Sequence, residues 1–228
     1  MQSMLNFGKK EIPLLEKYFA GLEKKETTTP HQLLRAKSGK STLTLFSSGK
    51  LVIQGPGHEK IKEEILSALG LKKELIIGID EVGRGEISGP FVITALLGDT
   101  NALRELRDSK KTGKIGEKFV TATKNSLANI CVSFNAEMVD LLRQEGLNLN
   151  QIEAISAKKM IELFEELGQR HKTIIDGGVA FLDKKGVEFK IKADDLEPVV
   201  GAASVIAKFF REQSGDKKKR ESWKTKEK

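Results

Sequence analysis

The sequence predicts an α/β protein in two parts: a small leading α/β unit, then a five-stranded mixed sheet covered by helices. Three observations predict this. From residue 75 to about 211, apolar runs of strand length alternate with amphipathic helical stretches. A break at Gly70, followed by Lys72 and Lys73, separates that region from an earlier hairpin-and-helix unit. Three of the later apolar runs also each end in a carboxylate.

Residues 9–25 place Ile12, Leu15, Phe19 and Leu22 on one helical face, with Pro13 tolerated in the first turn. The stretch 27–30 breaks that helix. Residues 41–54 read as a hairpin: Thr-Leu-Thr-Leu-Phe alternates, Ser47-Ser48-Gly49-Lys50 turns, and Leu-Val-Ile-Gln returns. A second helix follows, with Ile61, Ile65 and Leu69 spaced by four. These elements form a leading unit over 1–70, with 71–74 as a linker. Gly39-Lys40-Ser41 imitates the end of a phosphate-binding P-loop. Leu34 stands where that motif needs its first glycine, and a hairpin follows where it needs a helix, so the reading fails.

In the second part, strands are predicted over 75–80, 91–97 and 130–135, with helical segments at 101–107 and 116–127 between the last two. Asn148 and Gln151 offer a capping box for a long helix reaching 170, with Ile152, Ile155, Met160, Leu163 and Leu167 as its apolar side. Strands at 172–176 and 187–194 and a helix at 198–211 complete the region. Beyond Ser214 the chain is polar and charged, and it is expected to fray. The larger domain is thus set at 75–212 and a basic tail at 213–228.

Composition narrows the class. The chain is 39% hydrophobic, enough for a packed core. No apolar run is long enough to span a bilayer, and residues 1–10 lack the apolar stretch of a signal peptide, so a cytoplasmic protein is expected. The single cysteine, Cys131, excludes an intrachain disulfide and reads as a buried structural thiol. The net charge of +7 is unevenly spread: 1–70 and 211–228 each carry +4, and 71–210 carries −1. Basic flanks around an acidic centre suit a polyanion. Lysine-rich surfaces are also common without any such partner.

The chemistry concentrates in 75–90, where an apolar run meets Asp80 and Glu81 and then Gly83-Arg84-Gly85. An unpaired carboxylate at the end of a buried strand is costly, and a bound cation removes that cost. Asp176 ends Thr-Ile-Ile-Asp, and Asp194 ends Phe-Lys-Ile-Lys-Ala-Asp. One such aspartate is ordinarily a cap or turn residue. Three together, one of them doubled, point to a site for hard divalent ions such as Mg²⁺. His31, His58 and His171 are too scattered for a zinc site. Ser204, among small helical residues, reads as core filling.

GIDEVGRGEISGP, the segment Asp108-Ser109-Lys110-Lys111, IIDGG, and KADD followed by GAASVIAK together resemble the type 2 ribonuclease H family over roughly 75–211. The leading TLTLFSSGKLVIQG hairpin is similar to the TATA-box-binding-protein-like domain of bacterial ribonuclease HIII, the nearest subfamily. The resemblance implies a ribonuclease H-like fold that hydrolyses the RNA strand of RNA/DNA hybrids with two Mg²⁺ or Mn²⁺ ions, leaving 5′-phosphate and 3′-hydroxyl ends. It assigns Asp80, Glu81, Asp176 and Asp194 as catalytic, metal-binding acids. It assigns Gly83, Arg84 and Gly85 to substrate, with Ser109 and Lys110 on backbone phosphate. The Gly-Arg-Gly loop is closer to ribonuclease HII, and the only tyrosine, Tyr18, lies in the leading unit. Arg84 is left open between Glu86 and a phosphate. Lys37, Lys40 and Lys50 are expected duplex contacts or simply a solvated face. A monomer is expected, and the alternative function is a non-catalytic nucleic-acid binder that retains the fold.

Overall fold

Alternation of side chains at a period of two organises two separate sheets. The computed structural model describes residues 1–106, 114–177 and 185–222. The chain divides into two units, Met1–Glu74 and Leu75–Lys228.

The first unit runs β1 (Gln2–Asn6), α1 (Ile12–Ala20), β2 (Glu23–Lys25), β3 (Gln32–Ser38), β4 (Ser41–Phe46), β5 (Lys50–Gln54) and α2 (His58–Ala68). Its antiparallel sheet has the order β1-β5-β4-β3-β2. The predicted hairpin is β4–β5. Strands β1, β2 and β3 escaped prediction: β1 has only the adjacent Met4 and Leu5 as apolar residues, β2 is wholly charged, and the adjacent Leu33 and Leu34 break the alternation of β3. Leu43, Leu45, Leu51 and Ile53 pack with Leu15, Phe19 and Ile65 in one core. Gly39 (φ 59°) and Lys40 form the two-residue turn joining β3 to β4, the conformation such hairpins need from glycine. The P-loop imitation is therefore a hairpin turn.

The second unit contains β6 (Leu75–Val82), β7 (Phe91–Asp99), a 3₁₀ turn (Arg104–Leu106), α3 (Ile115–Asn125), β8 (Ser126–Phe134), α4 (Ala136–Gln144), α5 (Leu149–Glu166), β9 (Lys172–Asp176), β10 (Val187–Lys190), α6 (Ala193–Leu196) and α7 (Pro198–Gln213). The sheet order is β10-β9-β6-β7-β8. Strands β6, β7 and β8 are antiparallel neighbours, whereas β6, β9 and β10 run parallel. This is the five-stranded mixed sheet the sequence predicted. Side chains from alternate positions feed two cores: Ile77, Ile79 and Ile93 meet Met160 and Phe164 of α5, while Ile76 and Leu96 join Val200 and Val205 of α7. Cys131, expected buried, is half-buried on β8.

Several local expectations change. The capping box of α5 is present: the Asn148 side chain accepts from the Gln151 amide at 3.0 Å, and the Gln151 side chain accepts from the Asn148 amide at 2.9 Å. Its buried face, however, is Ile152, Glu153, Ser156, Ala157, Met160 and Phe164, whereas Ile155, Leu163 and Leu167 are exposed. Following only large apolar residues picked the wrong stripe, because the inward one includes two polar side chains. Helix α4 was not predicted, although Asn135 caps it by accepting from the Met138 amide at 2.8 Å. Strand β10 stops at Lys190, so Asp194 does not end a strand but lies in the first turn of α6. The expected fraying after Ser214 does not occur through residue 222: Arg220 is fully buried.

Gly78 of β6 sets how closely α7 approaches the sheet. A Cβ there would lie 2.6 Å from the Val199 carbonyl carbon and the Val200 nitrogen, both main-chain atoms with nowhere to move. Gly78→Ala should therefore destabilise the second unit by about 3 kcal/mol in urea denaturation, a typical cost of forcing a methyl into a close-packed site.

Candidate active site

Successive residues of a strand face opposite sides. Asp80 therefore follows Ile76 and Gly78 towards α7, and Glu81 follows Ile77 and Ile79 towards α5. The parallel register pairs Ile79 with Ile175, so Asp80 and Asp176 are the next residues along adjacent strands. Lys192, the one described non-glycine residue with positive φ (59°), turns the chain after β10. The turn aims the Ala193 amide at Asp176, whose Oδ1 accepts it at 2.6 Å, and it opens α6 with the buried Asp194. Two strand ends and one short helix thus bring the four predicted acids into mutual electrostatic reach.

Their charges are felt. Burial above all, then the neighbouring Glu81, pushes the Asp80 carboxyl well above its ordinary value; a hydrogen bond from Ser204 opposes this, and Asp176 and Asp194 add to it. Burial also raises Glu81, against the pull of Arg84. Among the described residues, no three His, Cys, Asp or Glu side chains stand close enough together to hold one metal ion.

Three partners were not legible as functional in the sequence. Ser204, read as core filling, hydrogen-bonds Asp80 and accepts from Lys208 Nζ at 2.7 Å. Glu153 is buried on α5 and ion-paired to Arg84. Asn150 accepts from Arg84 Nη1 at 2.7 Å. Arg84 Nε also lies 3.1 Å from Glu81. Arg84 thus pairs with Glu81 and Glu153, and it is Arg211, not Arg84, that pairs with Glu86. A charged residue inside an otherwise apolar helical stripe was the available signal for Glu153.

Gly83 and Gly85 differ in what demands glycine. Gly83 has φ 89°, and a Cβ on it would fall 2.4 Å from the Pro90 carbonyl oxygen. Gly85 lacks positive φ, and a Cβ on it would meet nothing within 4 Å. The fold requires the first glycine only. Ser109 and Lys110 lie outside the described residues. In the leading unit, Lys37 and Lys40 share one end of the sheet, while Lys50 begins β5 at the other.

The fold and the similarity in sequence together define a hydrolase of the ribonuclease H type. The Aquifex aeolicus RNase H3 structure aligns over 93% of this chain and 85% of its own, with a TM-score of 0.54 and 22% identity. Bst-RNase HIII in complex with Mn²⁺ aligns over 93% and 81%, with a TM-score of 0.57 and 18% identity. In sequence, the ribonuclease HIII of Lactococcus lactis is 27% identical over 213 residues, covering 81% of this chain and 72% of that protein. The ribonuclease HII of Thermococcus kodakarensis is 33% identical over 160 residues, covering 64% and 70%. The family model for Ribonuclease HII matches residues 77–228. The chain belongs to the ribonuclease HII family. The alignments to HIII proteins cover 81–93% of this chain and so extend into the leading unit.

The raised Asp80 value makes stability depend on pH. Between the ordinary value of 3.8 and the raised one, the folded chain keeps a proton that the unfolded chain releases. Stability therefore falls as pH rises through that window. Asparagine cannot ionise, so without divalent metal Asp80→Asn should melt higher than the parent at pH 7. The gap should close as the pH falls to about 3.8, read by thermal denaturation across pH.

Proposed function

We propose that the chain is an endonuclease that hydrolyses the RNA strand of RNA/DNA hybrids, working as a cytoplasmic monomer. The observation carrying this reading is the convergence of Asp80, Glu81, Asp176 and Asp194 beside a glycine loop, with Asp80 buried against the charges of the other three. An all-oxygen donor set carrying excess negative charge fits Mg²⁺ or Mn²⁺, and the four acids would hold the ions. When bound, a pair of such ions supplies an activated water and stabilises the leaving 3′ oxygen, so cleavage leaves 5′-phosphate and 3′-hydroxyl ends. The Mn²⁺ complex of Bst-RNase HIII supports the choice of metal.

The chain's own groups prepare the site. Ser204 donates to Asp80 and favours its ionised, ligating form. Arg84, braced by Glu153 and Asn150, holds Glu81 and offsets its charge. That use of Arg84 leaves substrate reading to the main chain of Gly83–Gly85. Backbone amides there suit a ribose 2′-hydroxyl, the group that separates RNA from DNA. The open space over Gly85 supports a ligand coming close to the main chain. Ser109 and Lys110 would contact backbone phosphate, and the leading unit, through Lys37, Lys40 and Lys50, would add affinity for the duplex.

The test uses three labelled duplexes with Mg²⁺: a full RNA/DNA hybrid, a DNA duplex with one embedded ribonucleotide, and plain DNA. Cleavage of the hybrid with the single ribonucleotide spared is the expected result, and chelation should abolish it. Asp80→Asn should lose activity by more than the roughly 100-fold typical of losing an outer-shell partner, while still binding hybrid. Binding without cleavage by the parent protein would instead identify a binder. Gly85→Ala gives a second check: its melting temperature should stay unchanged while kcat/KM on the hybrid falls about 100-fold, the scale of a 1 Å misplacement.

A further inference from the structure

The segment after α7 returns to the glycine loop. Residues 218–220 lie along 87–89: the Gly89 amide donates to the Lys218 carbonyl at 2.9 Å, the Arg220 amide donates to the Ile87 carbonyl at 2.9 Å, and Ser88 bridges Lys219 antiparallel. The Arg220 side chain then runs beneath the loop, fully buried. Its Nη1 donates to the Gly83 carbonyl at 2.7 Å and the Glu86 carbonyl at 3.1 Å, and its Nε donates to the Gly89 carbonyl at 2.9 Å. One guanidinium therefore joins three carbonyls spread over seven residues of loop.

We propose that Arg220 is a positioning residue that fixes the peptide planes of the Gly83–Gly89 loop and thereby sets the discrimination between RNA and DNA. The second half of this rests on the reading of that loop as the ribose-sensing element. The argument is stereochemical. No described peptide bond is cis, so each C=O and the following N–H point in opposite directions. Holding the Gly83 carbonyl on Arg220 fixes the Arg84 amide to face away from Arg220. Gly83 itself cannot hold that plane, because without a side chain it rotates freely. A charge is costly to bury, which argues that this guanidinium is here for its geometry. A planar fork serves spread carbonyls in a way that a lysine, a single point of charge, does not.

The strap that carries Arg220 is itself anchored. Asp216 accepts from the Ala136 amide at 3.0 Å, and Asp140 accepts from the Glu221 and Ser222 amides at 2.8 and 3.0 Å. Both anchors lie on α4. From α7, Arg211 donates to the Ser88 carbonyl at 3.1 Å. The loop's outer surface is thus left to a ligand, while its inner carbonyls belong to the protein.

The experiment compares the full chain with Arg220→Ala and Arg220→Lys, using hydrogen–deuterium exchange, thermal melting, Mn²⁺ titration of activity, and steady-state kinetics on hybrid and plain DNA. For Arg220→Ala, exchange in peptides covering 83–90 should accelerate about 10-fold or more, with β6 and β7 still protected, as local opening predicts. On the hybrid, kcat/KM should fall about 100-fold with the Mn²⁺ dependence unchanged, and the preference for hybrid over DNA should narrow. Arg220→Lys should recover melting temperature but not kcat/KM. Unchanged loop exchange would overturn the proposal. A uniform rise in exchange with a parallel loss of Mn²⁺ response would also overturn it, by making Arg220 a general stabiliser. If the parent protein cuts no hybrid, the ribonuclease reading fails, and loop exchange still decides whether Arg220 fixes the loop.

Discussion

Everything at the site depends on how near helix α7 can come to strand β6. Gly78 permits main chain to meet main chain, with no side chain between. From that contact, the next inward residue of β6 is Asp80, and the next turns of α7 bring Ser204 to it. The small residues Ala202 and Ala203 pack in the same core as Ile76 and Leu96 of the sheet. Close packing of this kind tolerates little displacement. The acid is therefore held on rigid elements, not on a loop.

That rigidity carries an electrostatic cost, which the surroundings share out unequally. Asp80 lies among carboxylates and a hydroxyl, and its proton is hard to lose. Glu81, one residue on, faces the opposite side and finds Arg84. Arg84 would be an exposed cation beside the loop were it not drawn to the buried Glu153. A single strand end thus presents two acids that burial raises, the second partly offset by Arg84. A hard cation would favour the ionised form of both.

The sequence disclosed the architecture because its signals were periodic. Apolar runs of strand length, the Asn148 and Gln151 cap and the alternating hairpin all found their places. The strand-end position of Asp80 and Asp176 was legible for the same reason, since a carboxylate closing an apolar run is a local pattern. Asp194 was placed on the wrong element because the turn at Lys192 uses a left-handed lysine, which leaves no glycine to announce it. Glu153 carried only the faint signal of a charge inside an apolar stripe, and Ser204 and Arg220 carried none. Each acts through a partner far along the chain, and nothing in a neighbouring stretch marks a serine or an arginine as such a partner. The charged run after Ser214 looked like solvated tail by composition, yet its arginine finds main-chain carbonyls to satisfy it.

The contact from Arg220 to Gly83 spans 137 residues. During synthesis, the loop emerges near the start of its unit and the residue that backs it emerges near the end. At ordinary elongation rates the interval is on the order of ten seconds. For that time the strand carrying the acids exists without the guanidinium that holds its loop. In order of synthesis this contact is among the last that the described residues can make. The nascent chain thus gains the residue that backs its glycine loop only late in the synthesis of the unit.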